Sequence, residues 1–248
     1  IVGRVPESGP HALERWFASQ TWTPFSFQRD AWQAYLGGQS GLVHAPTGLG
    51  KTLAVFGGPV IEASDGRGPV MGRRARARTD PLRVVWITPM RALANDTAHA
   101  LSRVIDGVGL NWSIELRTGD TSSSVRRRQR ARMPSVLVTT PESLSVLISY
   151  PDARELLSGA RTAVVDEWHE LLSTKRGVQT ELGLARLRAL SPMLRTWGLS
   201  ATLGNLDQAM RALVGPACER AVLVRASHDK TIVVDTLLPE TIERFPWG

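Results

Sequence analysis

The stretch His44-Ala45-Pro46-Thr47-Gly48-Leu49-Gly50-Lys51-Thr52 constrains this chain more than any other. It follows the apolar run Gly41-Leu42-Val43 and leads into Leu53-Ala54-Val55-Phe56. A strand end, a glycine-containing turn and a helix opening on Lys-Thr form the arrangement of a phosphate-binding P-loop. Gly48 and Gly50 allow backbone angles closed to other residues. Without side chains there, main-chain N–H groups can close around phosphate oxygens. The helix start adds N–H donors and the positive end of its dipole. Thr47, Gly48, Gly50, Lys51 and Thr52 are therefore the candidate nucleotide ligands. Lys51 is placed to reach the β- and γ-phosphates, and the Thr52 hydroxyl to ligate Mg²⁺. The general pattern has Gly where this chain has Ala45.

The rest of the sequence alternates strand and helix patterns. Buried-type strands are expected at Leu82–Thr88, Asn111–Thr118, Ser135–Thr140, Thr162–Asp166, Thr196–Ser200 and Ala221–Arg225. Helices are expected at His11–Ser19, Phe27–Leu36, from the P-loop to about Ala63, from Pro89 to about Val104, through the arginines Arg126, Arg127, Arg128, Arg130 and Arg132, from Pro141, and at Val178–Leu190 and Leu206–Val214. This alternation predicts an α/β fold, a mainly parallel sheet covered by helices on both faces. Ligands of such sheets gather beyond the carboxyl ends of the strands. Ser64–Pro81 holds five arginines and almost no apolar residues, and reads as a basic loop. Residues 1–225 are expected to form one domain. Ile232–Leu238 reads as a strand, so residues 226–248 are expected to be a linker or the first strand of a second domain.

Composition narrows the function. Thirty Lys+Arg against 23 Asp+Glu give a net charge of +7, which suits a polyanionic partner. The single cysteine excludes an intrachain disulfide and a Cys-based zinc site. No apolar run reaches the roughly 20 residues of a membrane span, and no signal peptide is evident, so a cytoplasmic protein is expected. The chain lacks an initiator Met and stops abruptly at Pro246-Trp247-Gly248, the expected look of a cut-down protein.

Further chemistry sits at the expected strand ends. Asp166-Glu167-Trp168-His169 follows an apolar strand. Asp166 fits the carboxylate that holds the Mg²⁺ shell in P-loop NTPases. Glu167 is the adjacent candidate for the base that deprotonates the attacking water. Ser200 and Thr202 sit past another strand, where their hydroxyls could bond His169. Gln28 offers a donor and an acceptor, the pair needed to read adenine. From spacing alone an exposed helix residue is the favoured reading. Trp22, Phe25 and Phe27 are all candidates for stacking on the base.

Taken in order, Phe27-Gln28, Ala45–Thr52, Thr88-Pro89-Met90-Arg91-Ala92-Leu93, Thr118-Gly119-Asp120, Thr139-Thr140-Pro141-Glu142-Ser143-Leu144, Asp166–His169 and Ser200-Ala201-Thr202 resemble the Q motif and motifs I, Ia, Ib/Ic, II and III of superfamily 2 DExH-box helicases. Ala45 is usual in that superfamily. Asp-Glu-Trp-His, followed by Glu170-Leu171-Leu172 and Lys175-Arg176-Gly177-Val178-Gln179, is similar to the large helicase-related (Lhr) family, in its ligase-associated DNA damage response branch.

The resemblance implies a RecA-like domain of an ATP- and Mg²⁺-dependent motor that moves 3′ to 5′ on single-stranded DNA in a repair setting. It implies that Gln28 reads adenine, that Lys51, Asp166 and Glu167 are catalytic, and that His169 touches nucleotide. His169, Ser200 and Thr202 would couple hydrolysis to movement. Arg91, Thr118, Gly119, Thr139, Thr140, Glu142 and Arg176 would line the strand-binding face. The implied partners are single-stranded or partly duplex DNA or an RNA:DNA hybrid, a repair ligase system, and a second RecA-like domain in cis. That domain carries the arginine finger, and no Gln-x-x-Gly-Arg-x-x-Arg-like stretch follows Thr202. Two readings from other classes are a P-loop kinase or small-molecule ATPase, and a nucleotide-gated interaction module.

Overall fold

A computed structural model describes residues 11–66 and 82–226. Most of the basic stretch 64–81 and the expected strand Ile232–Leu238 lie outside these residues. The elements run α1 (Ala12–Ser19), α2 (Ser26–Leu36), β1 (Gly41–His44), α3 (Lys51–Ser64), β2 (Val84–Ile87), α4 (Arg91–Val108), β3 (Ile114–Arg117), α5 (Ser123–Ala131), β4 (Val136–Thr139), α6 (Pro141–Ile148), α7 (Ala153–Leu157), β5 (Thr162–Val165), α8 (Trp168–Leu171), α9 (Lys175–Leu190), β6 (Arg195–Ser200), α10 (Leu206–Val214) and β7 (Val222–Arg225). The strands form one sheet of order β3-β4-β2-β5-β6-β1-β7. Every pairing is parallel. All strand carboxyl ends therefore lie along one rim.

The strands read as unbroken apolar runs because both faces of the sheet are covered. Successive side chains alternate between two cores. Val84, Trp86, Val136, Val138 and Val164 pack with α1 to α4. Val85, Ile87, Leu137, Ala163 and Val165 pack with α6 to α10. On the first face α2 lies tightly on α3. A Cβ at Gly57 would come within 2.1 Å of the Trp32 ring, and one at Gly58 within 2.4 Å of Tyr35. These glycines let the P-loop helix sit against α2, and the Trp32 indole N–H donates to Leu53 O at 2.9 Å.

The expected elements are present, with shifted ends. α4 runs on to Val108 and stops where Gly109 turns left-handed, at φ 75°. α9 starts at Lys175 rather than Val178, because the Thr174 side chain caps it by accepting from Gly177 N. β3 is shorter than expected, and Arg132 lies just past α5. The short helices α7 and α8, and a 3₁₀ turn at Gly215–Arg220, were not expected; each is too short for periodicity to signal. β7 pairs with β1 and belongs to the same sheet. No helix among the described residues is long and apolar enough to cross a membrane.

The rim opposite the strand carboxyl ends holds a buried polar lock. The Tyr35 hydroxyl lies 2.9 Å from Thr162 Oγ1 and donates to Glu62 Oε2 at 3.1 Å. Arg195 donates twice to Glu62 Oε1 at 2.9 Å and lies 4.3 Å over the Tyr35 ring. One cluster thus ties α2 and α3 to the starts of β5 and β6. Burial pushes the Tyr35 hydroxyl up to about 12. The folded state therefore holds this proton more tightly than the unfolded chain does. Its contribution is present below about pH 10 and is lost as pH rises toward 12, roughly 3 kcal/mol in all. We expect Tyr35→Phe to lower stability by about 1–2 kcal/mol at neutral pH. Urea unfolding at pH 8 and pH 11 checks this, with the gap between parent and variant closing at the higher pH.

Candidate functional site

The P-loop joins β1 to α3 at the carboxyl rim. Gly48 and Gly50 have φ of 85° and 78°, the left-handed angles that glycine alone takes freely. Gly50 is also the N-cap of α3. A Cβ there would meet Gln28 Nε2 at 2.7 Å, so the position excludes a side chain on two counts. Lys51 is 7% exposed, and its ammonium donates to Ala45 O at 3.0 Å. Thr52, second in α3, is half-buried, and Thr47 is exposed.

β5 lies two strands from β1, with β6 between them. At about 4.8 Å per strand, their ends stand roughly 10 Å apart. Asp166 closes β5, and Lys51 is near enough for its charge to act on that carboxyl. Burial raises the Asp166 carboxyl to about 6, and the neighbouring Glu167 charge adds to this. Two donors and one charge oppose the rise: the Trp86 indole N–H, 3.3 Å from Oδ2, the Glu167 N–H, 3.0 Å from Oδ1, and the positive charge of Lys51.

Glu167 sits at φ 43°, ψ 49°, a left-handed backbone that costs a non-glycine residue about 1–2 kcal/mol. The next residues in the chain hold it there. Trp168 is fully buried and its indole N–H donates to Ala209 O at 2.9 Å, pinning α8 to α10. Glu167 Oε2 lies 3.4 Å from His169 Nδ1 and has no hydrogen-bond partner among the described residues. His169 Nδ1 lies 3.3 Å from Ser200 Oγ. Glu167, His169 and Ser200 therefore form one chain from β5 to β6. Thr202 enters it only through its carbonyl, which accepts from Ser200 Oγ at 3.4 Å.

This donor set suits Mg²⁺ shared with a triphosphate. The carboxylate pair is short of positive charge, and Thr52 supplies a third oxygen. No group of three or more His, Cys, Asp or Glu among the described residues could cage a metal. Mg²⁺ commonly takes one or two carboxylates and completes its shell with phosphate and water.

The rim residues divide by exposure. Arg91 and Asp120 are exposed and paired at 2.6 Å. Arg176 and Glu142 are paired through two bonds of 2.5 and 3.2 Å. Burial would raise the Glu142 carboxyl, but the Arg176 hydrogen bonds, a backbone N–H and Thr140 outweigh it and hold it below the usual range. Gly119 lies against the Arg91 guanidinium.

Other residues expected at the rim or the base are committed elsewhere. Thr139 is fully buried, and its hydroxyl donates to Arg117 O at 2.7 Å, so it does not face a strand. Thr140 caps α6, and Thr118 Oγ1 accepts from Asp120 N within its own turn. Gln28 is 2% exposed; its Nε2 donates to Gly50 O at 3.0 Å and its Oε1 accepts from Phe25 N at 2.9 Å. It ties the P-loop to the start of α2. Phe27 is buried in the core, which removes it as a base platform. Phe25 and Trp22 keep exposed rings. Reading the sequence missed Trp86, whose only signal was a Trp within a strand of β-branched residues.

Residues 25–209 match the DEAD/DEAH box helicase family. The chain is 36% identical over 242 residues to an Lhr helicase/probable uracil glycosylase of Mycolicibacterium smegmatis, covering 92% of this chain and 15% of that protein. It is 37% identical over 218 residues to the ATP-dependent helicase Lhr-Core of Methanothermobacter thermautotrophicus, covering 82% of this chain and 24% of that one. Its fold matches the solved structure of the Mycobacterium smegmatis helicase Lhr bound to ssDNA and AMP-PNP with a TM-score of 0.74 and 34% identity, over 90% of this chain and 28% of the other. The chain thus spans 15–28% of the length of these relatives. Its parallel sheet, its P-loop and its Asp-Glu-Trp-His turn are those of a RecA-like helicase fold, and the chain belongs to the DEAD/DEAH box helicase family, with homology to the Lhr helicase core proteins.

Proposed function

We propose that this chain is the ATP-binding first RecA-like domain of a DNA-dependent ATPase and helicase, one that moves 3′ to 5′ on single-stranded DNA in a repair setting. The observation that carries this reading is the convergence of Lys51, Asp166 and Glu167 on one rim, flanked by the exposed Arg91 and the half-buried Arg176. The Mycobacterium smegmatis Lhr structure is bound to ssDNA and AMP-PNP, which supports a strand and a nucleotide as ligands here.

In this reading the turn at 47–50 and the start of α3 wrap the phosphates with N–H groups. Lys51 exchanges its bond to Ala45 O for a β- or γ-phosphate oxygen. Thr52 and Asp166 hold Mg²⁺, which, when bound, neutralises charge developing on the phosphates. Glu167 Oε2, without a hydrogen-bond partner among the described residues, takes the proton of the attacking water. His169 and Ser200 carry the resulting change toward β6. Gln28 serves the base from behind the loop, by way of Gly50 and Phe25. The reading keeps a second RecA-like domain in cis, whose arginine finger can be worth about 10³–10⁵ in rate. It also keeps DNA or an RNA:DNA hybrid as substrate, a ligase-linked repair system as partner, and a cytoplasmic, nucleoid-associated location.

Three outcomes test it. In the full-length protein, Glu167→Gln keeps binding of a fluorescent ATP analogue but lowers turnover by about 10²–10⁴; unchanged turnover would remove Glu167 as the base. Gly50→Ala weakens nucleotide binding, since it strains a left-handed backbone and pushes on Gln28; equal affinity would mean that the loop is not the nucleotide cradle. The chain by itself hydrolyses ATP poorly and separates no strands in a fluorescence unwinding assay, and robust unwinding by it would refute the need for a second domain.

A further inference from the structure

Arg117 closes β3 and is only 1% exposed, yet no carboxylate among the described residues pairs with it. Its guanidinium donates to Gln129 Oε1 at 3.1 Å and to the Tyr150 hydroxyl at 3.0 Å. Burial depresses its basicity, Tyr150 opposes this, and the nearby charges of Arg126 and Arg130 depress it further. Arg130 lies on the Tyr150 ring at 4.6 Å and Arg117 at 5.5 Å. Positive charge is therefore packed around one tyrosine. A buried cation without a counter-charge is costly.

Beside this group opens a cleft of about 550 Å³, lined by Ser123, Arg126, Arg127, Arg130, Tyr150 and Asp152. Among the described lining residues Asp152 is the one carboxylate; Arg130 takes its Oδ2 at 2.8 Å, and its Oδ1 has no hydrogen-bond partner among the described residues. Arg128, on the same helix, pairs instead with Glu115. Arg127 is exposed and has no hydrogen-bond or ion-pair partner among the described residues. Arg126 Nε is buried and also lacks one. The cleft thus has a surplus of guanidinium donors, whose planar forks match phosphate oxygens.

Its position says what supplies the anion. Arg126 Nη2 donates to Thr118 O at 3.1 Å and to Gly119 O at 3.0 Å. The cleft therefore begins at the turn where the exposed rim around Arg91 ends. The arginines over Tyr150 occupy its ring, which leaves no free platform for a base. Contacts here would reach phosphates and carry no sequence information.

We propose that the cleft between α5 and Tyr150 is a second phosphodiester-backbone site, which takes the DNA strand as it leaves the Thr118–Gly119 turn. This rests on the reading of the rim as a strand-binding face. Arg127 makes the exposed contact, and Arg126 joins the two sites. The buried charge of Arg117 raises the local potential that draws the phosphate in.

The test uses fluorescein-labelled oligo-dT of two lengths, about 6 and about 16 nucleotides, spanning the usual range of single-strand sites. Binding to the chain is read by anisotropy over a salt series. Arg127→Glu is expected to weaken the long strand about tenfold and to lower its salt slope by about 1. Binding of the short strand and of a fluorescent ATP analogue stays the same. Arg127→Gln gives the same pattern at smaller amplitude, and Arg127→Lys restores most of the long-strand affinity. Unchanged long-strand affinity in Arg127→Glu overturns the proposal, as does an equal loss for both lengths, which would mark a diffuse charge effect. If Arg91→Ala weakens neither length, the strand-binding reading of the rim fails instead. If the unaltered chain binds neither strand, that reading and this site fall together.

Discussion

The parallel run of the seven strands among the described residues is the constraint that shapes everything else in the molecule. A parallel sheet sends every strand carboxyl end to one rim and every connection back across a face. The crossover from β1 to β2 skips two places, and β5 and β6 fill the gap. That gap brings the loop before Lys51 and the turn at Asp166 within reach of one triphosphate. No contact between the two stretches is needed to place them; the sheet does it. The cost falls on the covering helices, which must be apolar along their inner faces and close to one another. Gly57 and Gly58 under Trp32 and Tyr35 meet that demand for α2 and α3.

Much of this was legible in the sequence, because strand-end chemistry and the alternation of strands with helices are both written locally. The alternation of apolar runs with helical patterns gave the fold. The P-loop and the Asp-Glu-Trp-His turn gave the two halves of the site, since the glycines, the lysine and the carboxylates are each demanded by a specific physical role. Helix ends were less legible. α9 starts earlier than its apolar pattern because Thr174 caps it, and a cap is a single side chain rather than a period.

What stayed hidden was direction. Thr139 and Thr140 lie in the same motif as the exposed Glu142, but one is locked into the sheet and the other caps a helix. Hydroxyl residues at a strand end have several backbone partners within reach, and only the fold chooses among them. Gln28 is similar: its amide could face a base, and here it spans from Gly50 to Phe25. Trp86 was invisible as a site residue because it reads as core, which it also is. Its ring packs edge-on against Phe56, while its N–H alone reaches Asp166. A large residue can thus serve two layers at once.

Arg91 and Arg176 of the rim are already engaged, Arg91 with Asp120 and Arg176 with Glu142. Such surface pairs are worth at most about 1 kcal/mol each, so they yield easily. Yet they change the kind of recognition on offer. A polyanion drifting past meets near-neutral doublets rather than bare cations, and gains little by merely being close. To stay, it must place a phosphate where it can swap with a carboxylate. In the strand-binding reading proposed above, the rim would therefore admit visitors by substitution, and an indiscriminate polyanion trap would become a fitting test for the shape of a backbone.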